Sequence, residues 1–211
     1  MLSIIQAAGW PVWPLVACSI LALALIIERG VSLKAARVAP PKLLDEAITV
    51  SRHGLPQPDV VEQLSQDSAL GELLATGFRA LREHPESTDE ELRERLQGAG
   101  RLAALKLDRY LTALGTIASA APLMGLLGTV IGMIEIFGSQ AGGGAVGSGN
   151  PAQLAQGISI ALYNTAFGLV VAIPALGFWR YYRARVDAYL VTLELAAERF
   201  VRHLAYLRDH C

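Results

Sequence analysis

Residues 114–137 read LGTIASAAPLMGLLGTVIGMIEIF, and residues 154–179 read LAQGISIALYNTAFGLVVAIPALGFW. Each run is long enough to cross a bilayer as a helix, which takes roughly 20 apolar residues. Across residues 110–179 the single charged side chain is Glu135. A Gly-rich break, GSQAGGGAVGSG at 138–149, separates the two runs. A third apolar segment covers 9–27, with LVACSILALALII at 15–27 as its densest part. The three runs predict an all-α membrane protein with three transmembrane helices.

The rest of the composition agrees. The chain has 211 residues, of which 53% are hydrophobic, and a net charge of −1, which points to no nucleic-acid partner. Mean hydropathy is +0.39, above that of an ordinary soluble domain. Charge is confined to two blocks. Residues 28–109 hold 12 Lys/Arg and 14 Asp/Glu, and residues 180–211 hold 6 Arg and 4 Asp/Glu, while 1–27 hold none. A cleaved signal peptide would need a basic start, and Met1 to Ile27 has no Lys or Arg, so the first run reads as a retained helix.

Basic residues set the orientation, because cytoplasmic flanks carry the excess of Lys and Arg. Arg29, Lys34 and Arg37 follow the first run; Arg101, Lys106 and Arg109 precede the second; Arg180, Arg183 and Arg185 follow the third. The chain is therefore expected to divide into a short outer N-terminus (1–8), a first span (9–27) and a helical cytoplasmic loop (28–109). A second span (110–138), a Gly-rich outer loop (139–153), a third span (154–179) and a cytoplasmic C-terminal helix (180–211) complete it. Cys18 would lie in the first span and Cys211 in the tail, which argues against a disulfide between them. The four histidines, His53, His84, His203 and His210, fall in the charged blocks without metal-ligand spacing and read as solvated.

The charged loop reads as a set of amphipathic helices. Pro40 and Pro41 open one over 42–52, a second begins near Asp59, and a third covers 69–84 with Leu70, Leu73, Leu74, Phe78 and Leu81 on one face. Thr88 with Glu91 fits a capping box, after which no strong breaker appears before Gly138. One helix of about 50 residues, about 75 Å, is expected there. Pro122 inside it, and Pro174 inside the third span, are expected to kink their helices. The third helix should continue past the membrane to about residue 208, with Val186, Tyr189, Leu190, Leu193, Ala197 and Phe200 as its apolar stripe. Trp179, Tyr181 and Tyr182 stand where an interfacial aromatic belt belongs.

Small residues line one face of each later span. Gly125, Gly128 and Gly132 do so in the second; Gly157, Ala161, Thr165 (or Asn164), Gly168 and Ala172 do so in the third. Lipid offers no hydrophobic drive between helices, so close approach over small residues supplies packing energy. The hydroxyls of Thr129 and Thr165 and the amide of Asn164 are the polar groups on these faces. Each threonine can bond back to its own helix, or the two together can line a narrow ion path. Glu135, near the outer end of the second span, can be a solvated interface residue or, in an oligomer, one of a ring of carboxylates that attracts cations. No nucleophile pair, metal cluster, P-loop or redox motif accompanies these groups, so no enzyme, cofactor or metal site is expected.

Two motifs carry a resemblance. Ala121-Pro122-Leu-Met-Gly125-Leu-Leu-Gly128-Thr129-Val-Ile-Gly132, and the later Gly157, Ala161, Thr165, Ala166, Gly168, Ala172, Pro174 series, are similar to the ExbB/TolQ branch of the MotA/TolQ/ExbB proton-channel family. The resemblance covers both spans in order and orientation, and three spans fit that branch better than the four of MotA-type stators. It implies a homopentamer whose second and third helices surround a pore, and a single-span ExbD- or TolR-like partner inside. The partner's aspartate would take up and release protons. It also implies a TonB- or TolA-like protein that carries the work to the outer membrane, with the inner membrane as location and lipid as neighbour. Thr129 and Thr165 match the family's pore threonines. One position departs: the glutamate usual five residues before that threonine is Ile160 here. ExbB-like nutrient uptake stands first, with TolQ-like envelope maintenance or a non-conducting scaffold as alternatives; H⁺ and Na⁺ both remain open as the ion.

Overall fold

The computed structural model describes residue 10 and residues 12–141 and 151–210. The stretch 1–8, Cys211 and most of the Gly-rich link read at 139–153 lie outside the described residues. Among the described residues all regular structure is helical: α1 (Val12–Ser32), α2 (Ala35–Val38), α3 (Leu43–Val50), a 3-10 turn (Ser51–His53), α4 (Pro58–Asp67), α5 (Ala69–Glu83), α6 (Asp89–Asp108), α7 (Leu111–Ala141) and α8 (Pro151–His210). Three stretches are long and apolar enough to span a membrane: Val12–Ser32, Asp89–Gly138 and Ala155–Asp209. The chain is a multi-pass, all-α membrane protein. It divides into two compact units, one of residues 1–28 and 110–181, the other of residues 29–109 and 182–211.

The first unit has little core of its own. Leu15, Ala121 and Ala172 form a small buried cluster with Met124, Phe167 and Val171 against it. Cys18 Sγ stands 4.0 Å from Met124 Sδ in the same region. Large apolar side chains face outward instead: Leu123 is 66% exposed, Ile134 65%, Val170 67% and Ile173 68%. In water such a surface would be a strong aggregation liability, whereas lipid tails or further protein satisfy it.

The second unit has a conventional core. Helix α5 lies at its centre, and the face read from the sequence is the buried one: Leu70, Leu73, Leu74, Phe78 and Leu81. Leu92 and Leu96 of α6 and Leu193, Phe200, Leu204 and Leu207 of α8 complete it. Phe78 meets Phe200 edge to face, with centroids 4.9 Å apart, an arrangement that suits the ring quadrupoles. Gly71 allows α4 and α5 to touch, since a Cβ there would collide with the Leu64 carbonyl oxygen. Gly54, at φ 139°, turns the chain after the 3-10 segment. Ser68 caps α5 by accepting the Gly71 N–H at 3.0 Å. Thr88 and Glu91 form the expected capping box at α6, and those hydrogen bonds hold the Glu91 carboxyl below its ordinary pKa.

Several boundaries differ from the sequence reading. Helix α1 continues to Ser32, because Glu28 and Arg29 are good helix formers and water or protein can satisfy them beyond an apolar run. Arg29 is 4% exposed, and its Nη1 donates to the Leu107 carbonyl at 3.0 Å, so the flanking cation caps the last turn of α6. The expected helix of about 50 residues is found as the continuous stretch Asp89–Gly138, in which a two-residue turn at Arg109–Tyr110 divides α6 from α7 while Arg109 keeps helical dihedrals (φ −46°, ψ −44°). Helix α7 reaches Ala141 and α8 begins at Pro151, which shortens the link from both sides. Pro122 and Pro174 lie inside α7 and α8, which stay helical through both.

His203 is not a solvated histidine. It is half-buried, with Nε2 2.7 Å from Ser51 Oγ, and burial first and the Arg52 cation second push its pKa down. Sequence periodicity could not show this, because the burying residue lies 152 positions away.

Candidate functional site

Helices α7 and α8 pair within the first unit, and glycine determines how closely. The pair is antiparallel, since contacts climb α7 as they descend α8. A Cβ on Gly168 would stand 2.6 Å from the Ala121 carbonyl oxygen, and one on Gly125 would stand 2.7 Å from the Asn164 carbonyl oxygen. Both distances are shorter than any real Cβ contact, so the backbones touch there and only glycine permits it. Farther along α7, a Cβ on Gly132 would come 3.2 Å from the Ala161 Cβ, while Gly157 lies under the Ile136 side chain. Ala121, Ala161 and Ala172 are all buried on this seam.

The seam resolves the choice between Asn164 and Thr165. Asn164 is 2% exposed, and its Nδ2 would lie 2.9 Å from a Cβ on Gly128. Gly128 thus leaves the space that the Asn164 amide occupies, and Asn164 is the residue on the small-residue stripe. Thr165 is half-buried at the edge of the seam, with its Cα 3.0 Å from the Gly125 Cβ position. Thr129 is also half-buried, and its hydroxyl donates to the Leu126 carbonyl at 2.7 Å. That bond is the local back-bonding pattern open to any membrane threonine. It uses the one proton of Thr129 and leaves the oxygen lone pairs as acceptors. Thr129 lies one turn, about 6 Å, along α7 from the glycine that meets Thr165.

The carboxylate and the prolines fall elsewhere. Glu135 is exposed, two turns or fewer from the α7 end and away from the buried seam. Ile160 is half-buried one turn before Asn164. Pro122 is half-buried and Pro174 is exposed. Gly115 extends the seam beyond the predicted stripe, because the Trp179 indole lies on it, 2.8 Å from the Cβ position to Nε1. Trp179 therefore packs between helices rather than serving only in an aromatic belt, and Tyr182 is buried while Tyr181 is 55% exposed. Continuing the 3-and-4 spacing back from Gly125 through Ala121 and Ala118 reaches Gly115, so that part of the seam was legible in the sequence.

Chemically, the site is a closely packed helix pair with one buried amide and two half-buried hydroxyls along it.

The model of the MotA/TolQ/ExbB proton channel family matches residues 65–195, well over half of the chain. A biopolymer transport protein of the ExbB-like kind from Synechocystis sp. is 32% identical over 97% of this chain and 94% of its own length. The biopolymer transport protein exbB1 of Vibrio cholerae is 33% identical over 81% of this chain and 74% of its own. The Tol-Pal system protein TolQ of Pseudomonas aeruginosa is 30% identical over 88% and 82%.

Proposed function

The chain belongs to the MotA/TolQ/ExbB proton channel family, and from that membership and the glycine-packed α7–α8 seam we propose that it is the pore-forming subunit of an ExbB-like inner-membrane motor. Proton-motive force would drive the motor and energise TonB-dependent transport at the outer membrane. One observation carries the reading: α7 and α8 approach at glycine contact distance while their remaining apolar faces stay bare. Bare faces on paired spans suit a ring of copies, with lipid outside and a pore within. We take the ring as a homopentamer, its pore holding a single-span ExbD- or TolR-like partner whose membrane carboxylate exchanges protons. The N-terminus and the Gly-rich link then face the periplasm, and the charged unit faces the cytoplasm.

Thr129, Thr165 and Asn164 are the ion-path groups of this chain, and Glu135 is a candidate outer ring. With Ile160 where the family resemblance leads us to expect glutamate, the pore lining supplies hydroxyls and an amide, so the partner's carboxylate bears the proton transfer. Each charge crossing yields about 2.3 kcal/mol per 100 mV, which favours a sealed path over an open water-filled one. TolQ-like envelope maintenance is the second reading, because relatives of both names match at near-equal identity.

Native mass spectrometry of the tagged chain from its host membranes tests the assembly. Five copies with about two of a single-span protein bearing a membrane aspartate is the expected result. A different oligomer, or five copies without such a partner, points to a non-conducting scaffold and sinks the motor.

A further inference from the structure

Between α3 and α4 the second unit has a groove that reaches down to its core. Phe78 of α5 and Val61 of α4 line it and are only 1% and 2% exposed. Val50 on the α3 bank and Val60 on the α4 bank stand open, at 63% and 48% exposure. Two open valines over a core-deep groove with a polar rim form the pattern of a docking site, unlike apolar residues scattered singly. The volume is about 220 Å³. A small-molecule ligand is usually enclosed by roughly 300–1,000 Å³, whereas about 150 Å³ is enough to take up one benzene ring. The space therefore suits one large apolar side chain of a docking segment.

The rim is acidic. Glu46 of α3 and Asp67 of α4 line the groove, and no Lys or Arg does. Residues 43–67 carry five carboxylates, Asp45, Glu46, Asp59, Glu62 and Asp67, against the single Lys or Arg cation, Arg52. Two of the five are engaged within the chain, Asp45 by Arg199 and Glu62 by Arg79. Among the described residues, Glu46, Asp59 and Asp67 have no ion-pair partner. Of the nearby cations, Arg82 donates to the Pro56 carbonyl, while Lys42 and Arg52 stand beyond the two ends of α3, outside the groove. An anionic membrane surface or a nucleic acid would meet like charge at this rim. A second copy docked groove to groove would set Glu46 and Asp67 against like charge as well. A basic peptide segment meets complementary charge on both helices.

We propose that the α3–α4 groove is a docking site for a basic peptide segment of a partner protein. The segment inserts one Leu or Phe between Val50 and Val60 and places Lys or Arg against Glu46 and Asp67. The apolar anchor supplies most of the affinity, and the rim charges supply orientation and speed of encounter. On the topology proposed above the partner is cytoplasmic. The groove itself is the same on either side of the membrane.

Fluorescence anisotropy of a labelled peptide tests this on the full chain in uncharged detergent. The probe is Gly-Lys-Lys-Phe-Lys-Lys-Gly, with one form carrying alanine for phenylalanine and another carrying glutamate for each lysine. The basic probe should bind saturably at one site per chain. The alanine form should bind roughly tenfold or more weaker, since one buried ring is lost. The glutamate form should not bind. Glu46→Lys with Asp67→Lys should weaken the basic probe by roughly tenfold. Glu86→Lys with Glu94→Lys changes the net charge equally at exposed positions outside the groove, and should bind as wild type does. Equal loss in the two charge variants, or equal binding of the glutamate form, reduces the effect to general charge and overturns the docking site. An alanine form that binds as tightly as the phenylalanine form removes the anchor and overturns it as well. Absence of saturable binding to wild type overturns it too, and maleimide labelling of Val60→Cys, with Cys18 and Cys211 replaced, then gives the reason: an unreactive thiol in the assembled chain means that a second copy fills the groove. None of these outcomes bears on the oligomer counted by native mass spectrometry, so the groove and the motor fail separately.

Discussion

At the residue scale, the seam depends on atoms that are absent. Gly128 has no Cβ where Asn164 places its amide, and Gly125 has none where the next helix passes. Gly128→Leu should cost about 1–3 kcal/mol by overpacking, seen as lost α7–α8 pairing and lost complex on native gels. Gly98→Ala is the contrast, because nothing lies within 4 Å of its Cβ position; it should stabilise α6 by up to about 1 kcal/mol through helix propensity. The hydroxyls are a separate matter. Thr165→Val and Thr129→Val keep shape and remove oxygen, so both should assemble normally yet lose proton-driven function in vesicle flux assays. Thr129→Ser, which restores the hydroxyl, should recover it. Normal flux in both valine variants would remove these residues from the ion path.

At the scale of elements, helix ends and helix faces explain different things. Helix α5 starts where Ser68 accepts the Gly71 N–H, and that cap is buried. Ser68→Ala should destabilise the second unit by about 1 kcal/mol, readable as a lower unfolding temperature with unchanged helix content at low temperature. Faces of α5 and of the distal part of α8 were legible in the sequence because a solvated helix must segregate apolar from polar residues. The faces of α7 were less so. A helix apolar all round gives no preferred side, and only its small residues mark where a neighbour comes close. The two-residue turn at Arg109–Tyr110, within the long helical stretch, had no Gly or Pro to announce it, and the reach of α1 to Ser32 had no signal beyond the end of its apolar run.

At the scale of the whole molecule, two compact units have opposite surfaces. One leaves most of its large apolar side chains bare around a small core, and the other has an extensive buried core and carries nearly all of the charge. Opposite surfaces require two different solvents, lipid for one and water for the other. The proposed topology is directly measurable once Cys18 and Cys211 are replaced. A cysteine at Ser148 in the Gly-rich link should react with a membrane-impermeant maleimide in intact cells, and one at Ala184 only after the cells are opened. The reverse pattern would invert the orientation and move the charged unit to the outer side.

The number of spans and their place along the chain were determined by the sequence alone, as were the family and the amphipathic helices of the charged block. Transfer of apolar residues into lipid adds up locally, and needs no knowledge of what packs beside them. Tertiary structure alone decided that Asn164 and not Thr165 fills the seam, that Trp179 lies on Gly115, that Arg29 is buried against α6, and that His203 pairs with Ser51. Those outcomes depend on how each helix is rotated against its neighbour. Adjacent residues point 100° apart around a helix, since one turn holds 3.6 of them. Which of two neighbours is buried is therefore set by the partner's surface, and no property of the segment read by itself contains it.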